Sequence, residues 1–290
     1  MPRLGMSSLP ASNRLPDIKR WFCNEAAPWL PQGEAEPAFW YIMEEVLGIC
    51  RSKALAEGSL FFLTEGQLRK LLLVLKDIKS FKPLQYITGR AHFMGLSLYV
   101  DSRCLIPRPE TEELVAWMTQ DAHVLNADSI LDVGTGSGAI ALALKAFLPA
   151  ARVEGMDVSA DALKIAQRNA NALRLNVHFF QADILREEFD LKGWDVVVAN
   201  PPYIPENEKS LLQRQVRDWE PPQALFVPDD DPYLFYRVIL QKLSPGQVAF
   251  FELGEKQAEG LEALVRAFGS QDFELRFDSQ GHIRMAKVVK

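Results

Sequence analysis

The chain has 290 residues and a mass of 32.7 kDa, a length that accommodates two domains at roughly 100–200 residues each. Apolar residues make up 48% and charged residues 24%, the balance of an ordinary globular protein, which excludes a chain disordered throughout or of collagen-like or low-complexity type. The net charge of −6 argues against bulk binding to a phosphate backbone, and it is uneven: residues 1–105 carry 13 Lys/Arg against 10 Asp/Glu, whereas residues 106–290 carry 19 against 28.

The first 80 residues read as helical. From Glu36 to Ile49, Phe39, Ile42, Met43, Val46 and Leu47 recur at helical intervals. Thr64 opens a further helix with Gln67 as its capping-box partner, and Leu68, Leu71, Leu72 and Leu75 line one face. Pro83 ends this pattern. Residues 83–106 alternate loosely around Gly89 and Gly95 and predict a β-hairpin linking a helical domain (1–82) to a second domain (107–290). Pro107 and Pro109 forbid a regular helix across them, so a helix is expected from about Glu110 towards His123.

From Ser129 strands and helices alternate. Strands are predicted at Ile130–Val133, Arg152–Met156, Val177–Phe180, Trp194–Ala199 and Val248–Leu253. Helices are predicted at Ala139–Phe147, from Ser159 to about Ala172, at Tyr233–Leu243 and at Lys256–Phe268. Phe273–Phe277 and Ile283–Val289 read as two strands joined near Gly281. Such alternation implies an α/β fold with a mainly parallel sheet, helices on both faces and an antiparallel hairpin at one edge. No apolar run approaches the roughly 18–20 residues of a membrane span, and no apolar stretch follows Arg3 to make a secretory signal. Cys23, Cys50 and Cys104 and the four histidines have no metal-ligand spacing, so reduced thiols, no metal and a cytoplasmic protein are expected.

Chemistry concentrates after the strands. Asp132-Val133-Gly134-Thr135-Gly136-Ser137-Gly138 is a glycine-rich turn between a strand and a helix, where the backbone can approach a ligand. The spacing also satisfies the looser dinucleotide pattern, with Ala139 in the last position. Asp157, ending the next strand, can accept both ribose hydroxyl protons of a nucleoside, or can cap the following helix. Asp183 can accept from an adenine amino group with Ile184 packing the ring, although a plain loop aspartate reads nearly as well.

Asn200-Pro201-Pro202-Tyr203 discriminates between these ligands. The Asn200 amide oxygen and the Pro201 carbonyl can accept the two protons of a planar NH2 group, and Tyr203 offers a stacking face. Hydride transfer has no use for this arrangement, whereas methylation of an sp² nitrogen does.

Together, Asp132–Gly138, Asp157 and Asn200–Tyr203 resemble an S-adenosylmethionine-dependent methyltransferase of the NPPY group. Pro83–Gly89, Phe93, Gly95 and Leu105–Glu112 narrow this, as do Val216-Arg217, Glu220-Pro221, Ala224-Leu225, Asp278, Gly281 and Arg284; they resemble the release factor glutamine methyltransferases (HemK/PrmC family). The match covers about residues 83–290, and Asp229-Asp230-Asp231-Pro232 departs from it where relatives usually have a glycine-containing turn.

The resemblance implies a Rossmann-like, doubly wound methyltransferase sheet with an antiparallel edge hairpin, preceded by a small all-α bundle. It implies methyl transfer from S-adenosylmethionine to the side-chain nitrogen of the glutamine in the Gly-Gly-Gln motif of peptide chain release factors, giving S-adenosylhomocysteine, with no metal. Asp132, Gly134, Thr135, Gly136, Ser137, Gly138, Asp157, Asp183, Ile184 and Asn200 would bind the cofactor. Asn200, Pro201, Pro202 and Tyr203 would hold the substrate amide, with Pro107, Arg108 and Glu110 lining the cleft or serving only as a linker. A nucleic-acid amino-methyltransferase acting on adenine N6 or guanine N2 is the alternative, and a non-catalytic adaptor the third. The acidic catalytic half speaks against nucleic acid. A monomer is expected, free of membrane and nucleic acid, in which the mildly basic N-terminal part docks the release factor. Deleting residues 1–80 should then weaken release-factor binding more than cofactor binding.

Overall fold

The computed structural model describes residues 10–270 and 272–290. Arg3 and the rest of residues 1–9 lie outside the described residues. The chain forms two units, residues 1–90 with 214–219, and residues 91–213 with 220–290.

The helical unit contains α1 (Leu15–Ala26), α2 (Ala35–Glu45), α3 (Arg51–Glu57), α4 (Glu65–Lys79) and α5 (Leu84–Thr88). Leu15, Ile18, Phe22 and Ala26 form the buried stripe of α1, and Phe22 meets Phe39 of α2 at a 5.5 Å centroid separation. Gly48, in the left-handed region at φ 66°, turns the chain soon after α2, so that helix ends at Glu45 rather than at Ile49. Thr64 and Gln67 form the reciprocal capping box that starts α4. Leu71, Val74, Leu75 and Ile78 are the buried face of α4, with Leu68 and Leu72 half-buried beside it. The segment expected to open the hairpin is instead helical. Pro83 takes the N-cap position of α5, where its missing N–H costs no hydrogen bond, and the hairpin itself is shorter, β1 (Arg90–Phe93) with β2 (Leu96–Tyr99).

In the second unit the helix expected from Glu110 to His123 is two. They are α6 (Pro109–Met118) and α7 (Ala122–Leu125), separated where the Asp121 carboxylate accepts from the His123 N–H and caps α7. Then come β3 (Ser129–Val133), α8 (Ala139–Phe147), β4 (Arg152–Asp157), α9 (Ala160–Leu173), β5 (His178–Gln181) and β6 (Val196–Ala199). The short strands β7 (Ile204–Pro205) and β8 (Phe226–Val227) pair in parallel, and α10 (Arg214–Arg217) lies between them in sequence. The chain ends with α11 (Leu234–Lys242), β9 (Val248–Glu252), α12 (Ala258–Ala267), β10 (Asp272–Phe277) and β11 (Ile283–Val289).

Seven strands form one sheet in the order β10-β11-β9-β6-β3-β4-β5. Strands β9, β6, β3, β4 and β5 are parallel, while β11 runs antiparallel to both β9 and β10. Period-two alternation splits the core into two layers. Ile130, Val196, Val198, Val248 and Phe250 face α6 and α8, whereas Leu131, Val197, Ala199, Ala249 and Phe251 face α11 and α12. The chain moves outward from β3 through β4 to β5 and then returns to the other side of β3 as β6. That reversal makes the carboxyl ends of β3 and β6 the topological switch point, where open α/β sheets bind ligands. Among the described residues no helix is long and apolar enough to cross a membrane.

One strand position is fixed by the loop above it. A Cβ on Gly155 of β4 would sit 2.7 Å from the Phe179 ring and 2.7 Å from Thr135 Oγ1. Gly155→Val is therefore expected to lower unfolding stability by about 1–3 kcal/mol, measured by urea denaturation.

Candidate active site

The glycine loop leaves β3 at the switch point. Gly134, Gly136 and Gly138 all have positive φ, at 74°, 55° and 83°, a backbone that side-chain-bearing residues rarely adopt. Gly134 and Thr135 donate their N–H groups to the Met156 carbonyl, each at 2.9 Å, which lays the loop across β4. Beneath it Asp132 is fully buried: Oδ2 accepts from Thr135 Oγ1 (2.6 Å) and the Ala141 N–H (3.2 Å), while Oδ1 has no partner. Burial pushes this carboxyl up to about 7, opposed by those two hydrogen bonds.

Asp157 braces the loop from β4. Its Oδ2 accepts from the Gly136 N–H at 2.9 Å and its Oδ1 from the Ser159 N–H at 2.8 Å. Desolvation raises its pKa, and these backbone donors pull it back. The carboxylate thus makes the helix-entry bond that the sequence allowed as its plain role. Each oxygen keeps a further lone pair. Ser159 itself caps α9 by accepting from Ala162 N at 3.2 Å.

A cavity of about 410 Å³ lies past the carboxyl ends of β4 and β5, lined by Val158, Gln181, Ala182, Asp183, Arg186, Glu188 and Phe189. Asp183 is among its walls, and its Oδ1 accepts from the Leu185 N–H at 2.9 Å. Ile184 is not: it is buried in the core with Leu131, Val133 and Met156, and the apolar residues that line the space are exposed Val158 with Ala182 and Phe189.

Asn200, Pro201, Pro202 and Tyr203 follow β6. Asn200 Nδ2 donates to Thr111 Oγ1 at 3.1 Å, and Thr111 Oγ1 donates to Glu252 Oε2. Thr111 and Glu252 are buried, and desolvation raises the Glu252 carboxyl to about 7. Pro201 is buried and Pro202 half-buried. The Tyr203 carbonyl accepts from Gln257 Nε2 at 2.9 Å, which ties the end of the turn to the residue before α12. Burial holds the Tyr203 hydroxyl well above its ordinary pKa. Gly254 leaves room for this ring, since a Cβ there would lie 2.8 Å from Tyr203 Cδ2.

The Pro107–Glu110 segment is anchored rather than loose. Arg108 pairs with Glu220, whose Oε2 also accepts from the Ile106 N–H at 3.2 Å. Glu220 is buried, with a raised pKa set mainly by desolvation and opposed by Arg108. Arg284 lies 3.6 Å from Asp278 and donates to the Leu253 carbonyl, while Asp278 Oδ1 accepts from Gln280 and His282 N–H groups and shapes the turn before β11. The Asp229–Pro232 turn closes without glycine. Asp229 Oδ1 accepts from the Asn207 N–H at 2.8 Å and Asp231 pairs with Arg237.

Four residues to which the sequence assigned no role hold these loops. They are Thr111, Glu252, Gln257 and Asn169. Asn169 donates to the Ser137 carbonyl (2.9 Å) and the Tyr99 carbonyl (3.0 Å) and accepts from the Tyr99 N–H (2.7 Å), joining the glycine loop to β2. A signal existed for two of them. Asn169 interrupts the apolar stripe Ala162, Ile165, Ala166, Ala170 of α9, and Glu252 ends an otherwise apolar strand. Among the described residues no three His, Cys, Asp or Glu side chains group as metal ligands. Cys23 is half-buried, Cys50 exposed and Cys104 buried, with the Cys104 Sγ donating to the Asp101 carbonyl.

A glycine loop and a bracing carboxylate on one side of the switch point, and an Asn-Pro-Pro-Tyr turn on the other, define a Rossmann-like methyltransferase. The methyltransferase small domain family matches residues 110–218. A curated release factor glutamine methyltransferase of Flavobacterium psychrophilum is 37% identical over 92% of this chain and 96% of its own. Those of Bacteroides thetaiotaomicron (36% identical, 79% and 83% covered) and Chlorobaculum tepidum (39% identical, 73% and 72% covered) are similar too. The chain belongs to the release factor glutamine methyltransferase family. The solved hMettl16 catalytic domain, 15% identical, superposes with a TM-score of 0.54 over 78% of this chain and 82% of that one, a likeness of fold alone.

Proposed function

We propose that the protein transfers a methyl group from S-adenosylmethionine to the side-chain amide nitrogen of the glutamine in the Gly-Gly-Gln motif of peptide chain release factors. The products are N5-methylglutamine, S-adenosylhomocysteine and a proton. The observation that carries this reading is the Asn200 side chain, anchored through its NH2 group on Thr111 at the switch point and so presenting an amide oxygen.

The site's residues suit the cofactor. The loop is an open cradle, since a Cβ on Gly134 would meet nothing within 4 Å and one on Gly136 only the Gly134 carbonyl at 4.0 Å. Asp132 Oδ1 is a buried acceptor without a partner, and Asp157 keeps free lone pairs. We assign Asp157 to the ribose hydroxyls, Asp183 to the adenine amino group with Val158 against the ring, and Asp132 with Gly134–Gly138 to the remainder. Bound there, the sulfonium supplies an activated methyl group. The protein's part is to hold the acceptor. Asn200 Oδ1 and the Pro201 carbonyl take the two amide protons, Tyr203 stacks on the amide plane, and the nitrogen lone pair is left facing the donor. A delocalised amide nitrogen is a weak nucleophile, so most of the acceleration falls to proximity and orientation, worth roughly 7–11 kcal/mol in favourable systems.

Arg108 and Glu110 sit at the cleft rim in this reading. The helical unit docks the release factor. Counted at the unit boundaries, that unit has 14 basic and 10 acidic residues, net +4, and the catalytic unit 18 and 28, net −10. Truncating residues 1–80 would also remove a partner of Trp219, whose Nε1 donates to the Ser80 carbonyl. Charge reversal is the cleaner test. Lys70→Glu with Lys76→Glu, both exposed on α4, should weaken release-factor binding by about tenfold at low salt and leave cofactor affinity unchanged, by isothermal titration calorimetry.

We further read the protein as a cytoplasmic monomer that needs no nucleic acid. The deciding experiment for the reaction is mass spectrometry of a release factor after incubation with enzyme and S-adenosylmethionine. One added methyl group on the Gly-Gly-Gln glutamine is expected. No methylation, or methylation that persists when that glutamine is replaced, would refute the reading.

A further inference from the structure

Three polar side chains from three elements form one line, running inward from half-buried Asn200 after β6 through Thr111 in the first turn of α6 to Glu252 at the end of β9. Thr111 is 4% exposed and Glu252 2%. A hydroxyl has one proton to donate and lone pairs to receive. An ionised carboxylate only accepts, so the Thr111 proton goes to Glu252. The oxygen lone pair of Thr111 then needs a donor, which the Asn200 NH2 group supplies at 3.1 Å. An asparagine amide has two faces of nearly equal shape, and nothing in its own covalent structure chooses between them. The hydroxyl makes that choice.

We propose that Thr111 and Glu252 are positioning residues that fix the flip of the Asn200 amide, so that Oδ1 rather than Nδ2 meets the N–H of the substrate amide. The inference rests on the reading of Asn200 as a substrate acceptor. Neither residue touches substrate or cofactor in it. Their action is wholly through Asn200.

The direction of the line depends on the charge of Glu252. If protonated, Glu252 donates to Thr111, the hydroxyl turns its own proton towards Asn200, and the amide flips to present Oδ1 to it. Nδ2 would then face the substrate's NH2 group, donor against donor. The charged and titratable groups around Glu252 are Glu110 and Arg108 at the start of α6, Arg284 on β11, Tyr203 after β6 and Tyr236 on α11, whose hydroxyl donates to the Glu252 carbonyl. Burial dominates and lifts the carboxyl to about 7, Glu110 adds to it, and Arg108 and Arg284 oppose it. The group is raised, so the productive ionised form is present above that value and is lost as pH falls through it. An acid limb in kcat follows near pH 7.

The test compares kcat, release-factor KM and cofactor Kd for the wild-type full chain and for Thr111→Val, Thr111→Ser, Glu252→Gln and Asn200→Ala, with pH profiles wherever circular dichroism shows an intact fold. Thr111→Val should lower kcat by roughly 10–100-fold, with KM and cofactor Kd within about twofold, because misplacing a reacting partner acts on the chemical step. Thr111→Ser should recover most of the loss. Glu252→Gln keeps an acceptor oxygen for Thr111 but does not titrate, so it should lose the acid limb and fall a few-fold at high pH. Wild-type kcat in Thr111→Val with Asn200→Ala inactive would overturn the positioning roles and leave the reading of Asn200 standing. An active Asn200→Ala would instead refute that reading itself. If Thr111→Val does not fold, the Glu252→Gln profile decides: an acid limb that persists unchanged overturns the proposal.

Discussion

Asn200→Ala is expected to lower kcat by at least about 100-fold while S-adenosylmethionine binds with a Kd within about twofold of wild type. Single-turnover methylation and calorimetry measure the two quantities separately. The size follows from what the side chain would do. Removing one preorganised polar group aimed at a reacting centre costs about 10²–10³ in kcat in well-studied sites, and a 1 Å misplacement can cost 10²-fold by itself. Asn200 stands at the end of β6, across the switch point from the braced glycine loop, and its partner Thr111 belongs to α6. Its loss should therefore spare the cradle. A parallel loss of cofactor affinity would mean that Asn200 holds the cofactor rather than the amide.

The second large effect is expected at Asp157. Asp157→Ala removes two charge-assisted bonds that order the protein itself, from Gly136 N (2.9 Å) and Ser159 N (2.8 Å), besides the proposed ribose contacts. Hydrogen bonds to charged groups contribute about 1.5–3 kcal/mol each. Losing their ordering and the ribose contacts should raise the cofactor Kd by roughly 100-fold, at about 1.4 kcal/mol per tenfold. Asp157→Asn keeps one acceptor oxygen and should fall between the two. Calorimetric titration with S-adenosylhomocysteine reads this without turnover. An unchanged Kd would remove Asp157 from the cofactor site.

Most of the catalytic unit's architecture could be read along the chain because its signals are local. Short apolar runs, several of them followed by a Gly, Asp or Ser position and then a helix-period segment, give strand, loop and helix in order. The Asp132–Gly138 loop, Asp157 and the Asn200–Tyr203 turn all fall at strand ends for that reason. Some misses are local, as where Gly48 and Asp121 interrupt helices, and others are non-local or concern prolines. By sequence Pro83 marks the end of one helix and the start of a hairpin, yet it opens α5. The partners of the candidate site lie far apart in sequence: Thr111 is 89 residues from Asn200 and 141 from Glu252, and Asn169 is 70 from Tyr99. No spacing rule reaches that distance. What a sequence can show is a polar residue where the period demands an apolar one, as at Asn169 and Glu252. Ile184 shows the converse. It sits beside the cavity-lining Asp183 in sequence, but its side chain is in the core while Val158 lines the cavity.

Residues 214–219, which follow the Asn-Pro-Pro-Tyr turn by only a short stretch, pack within the helical unit, where Lys82 also approaches the Trp219 ring at 5.7 Å. This carries a consequence for synthesis. A ribosome making the chain has produced β3, β4, β5 and β6 before the last piece of the helical unit emerges, and β9, β10 and β11 of the sheet are still to come. Neither unit is complete until the other is well under way, so their folding is interleaved in time although their cores are separate.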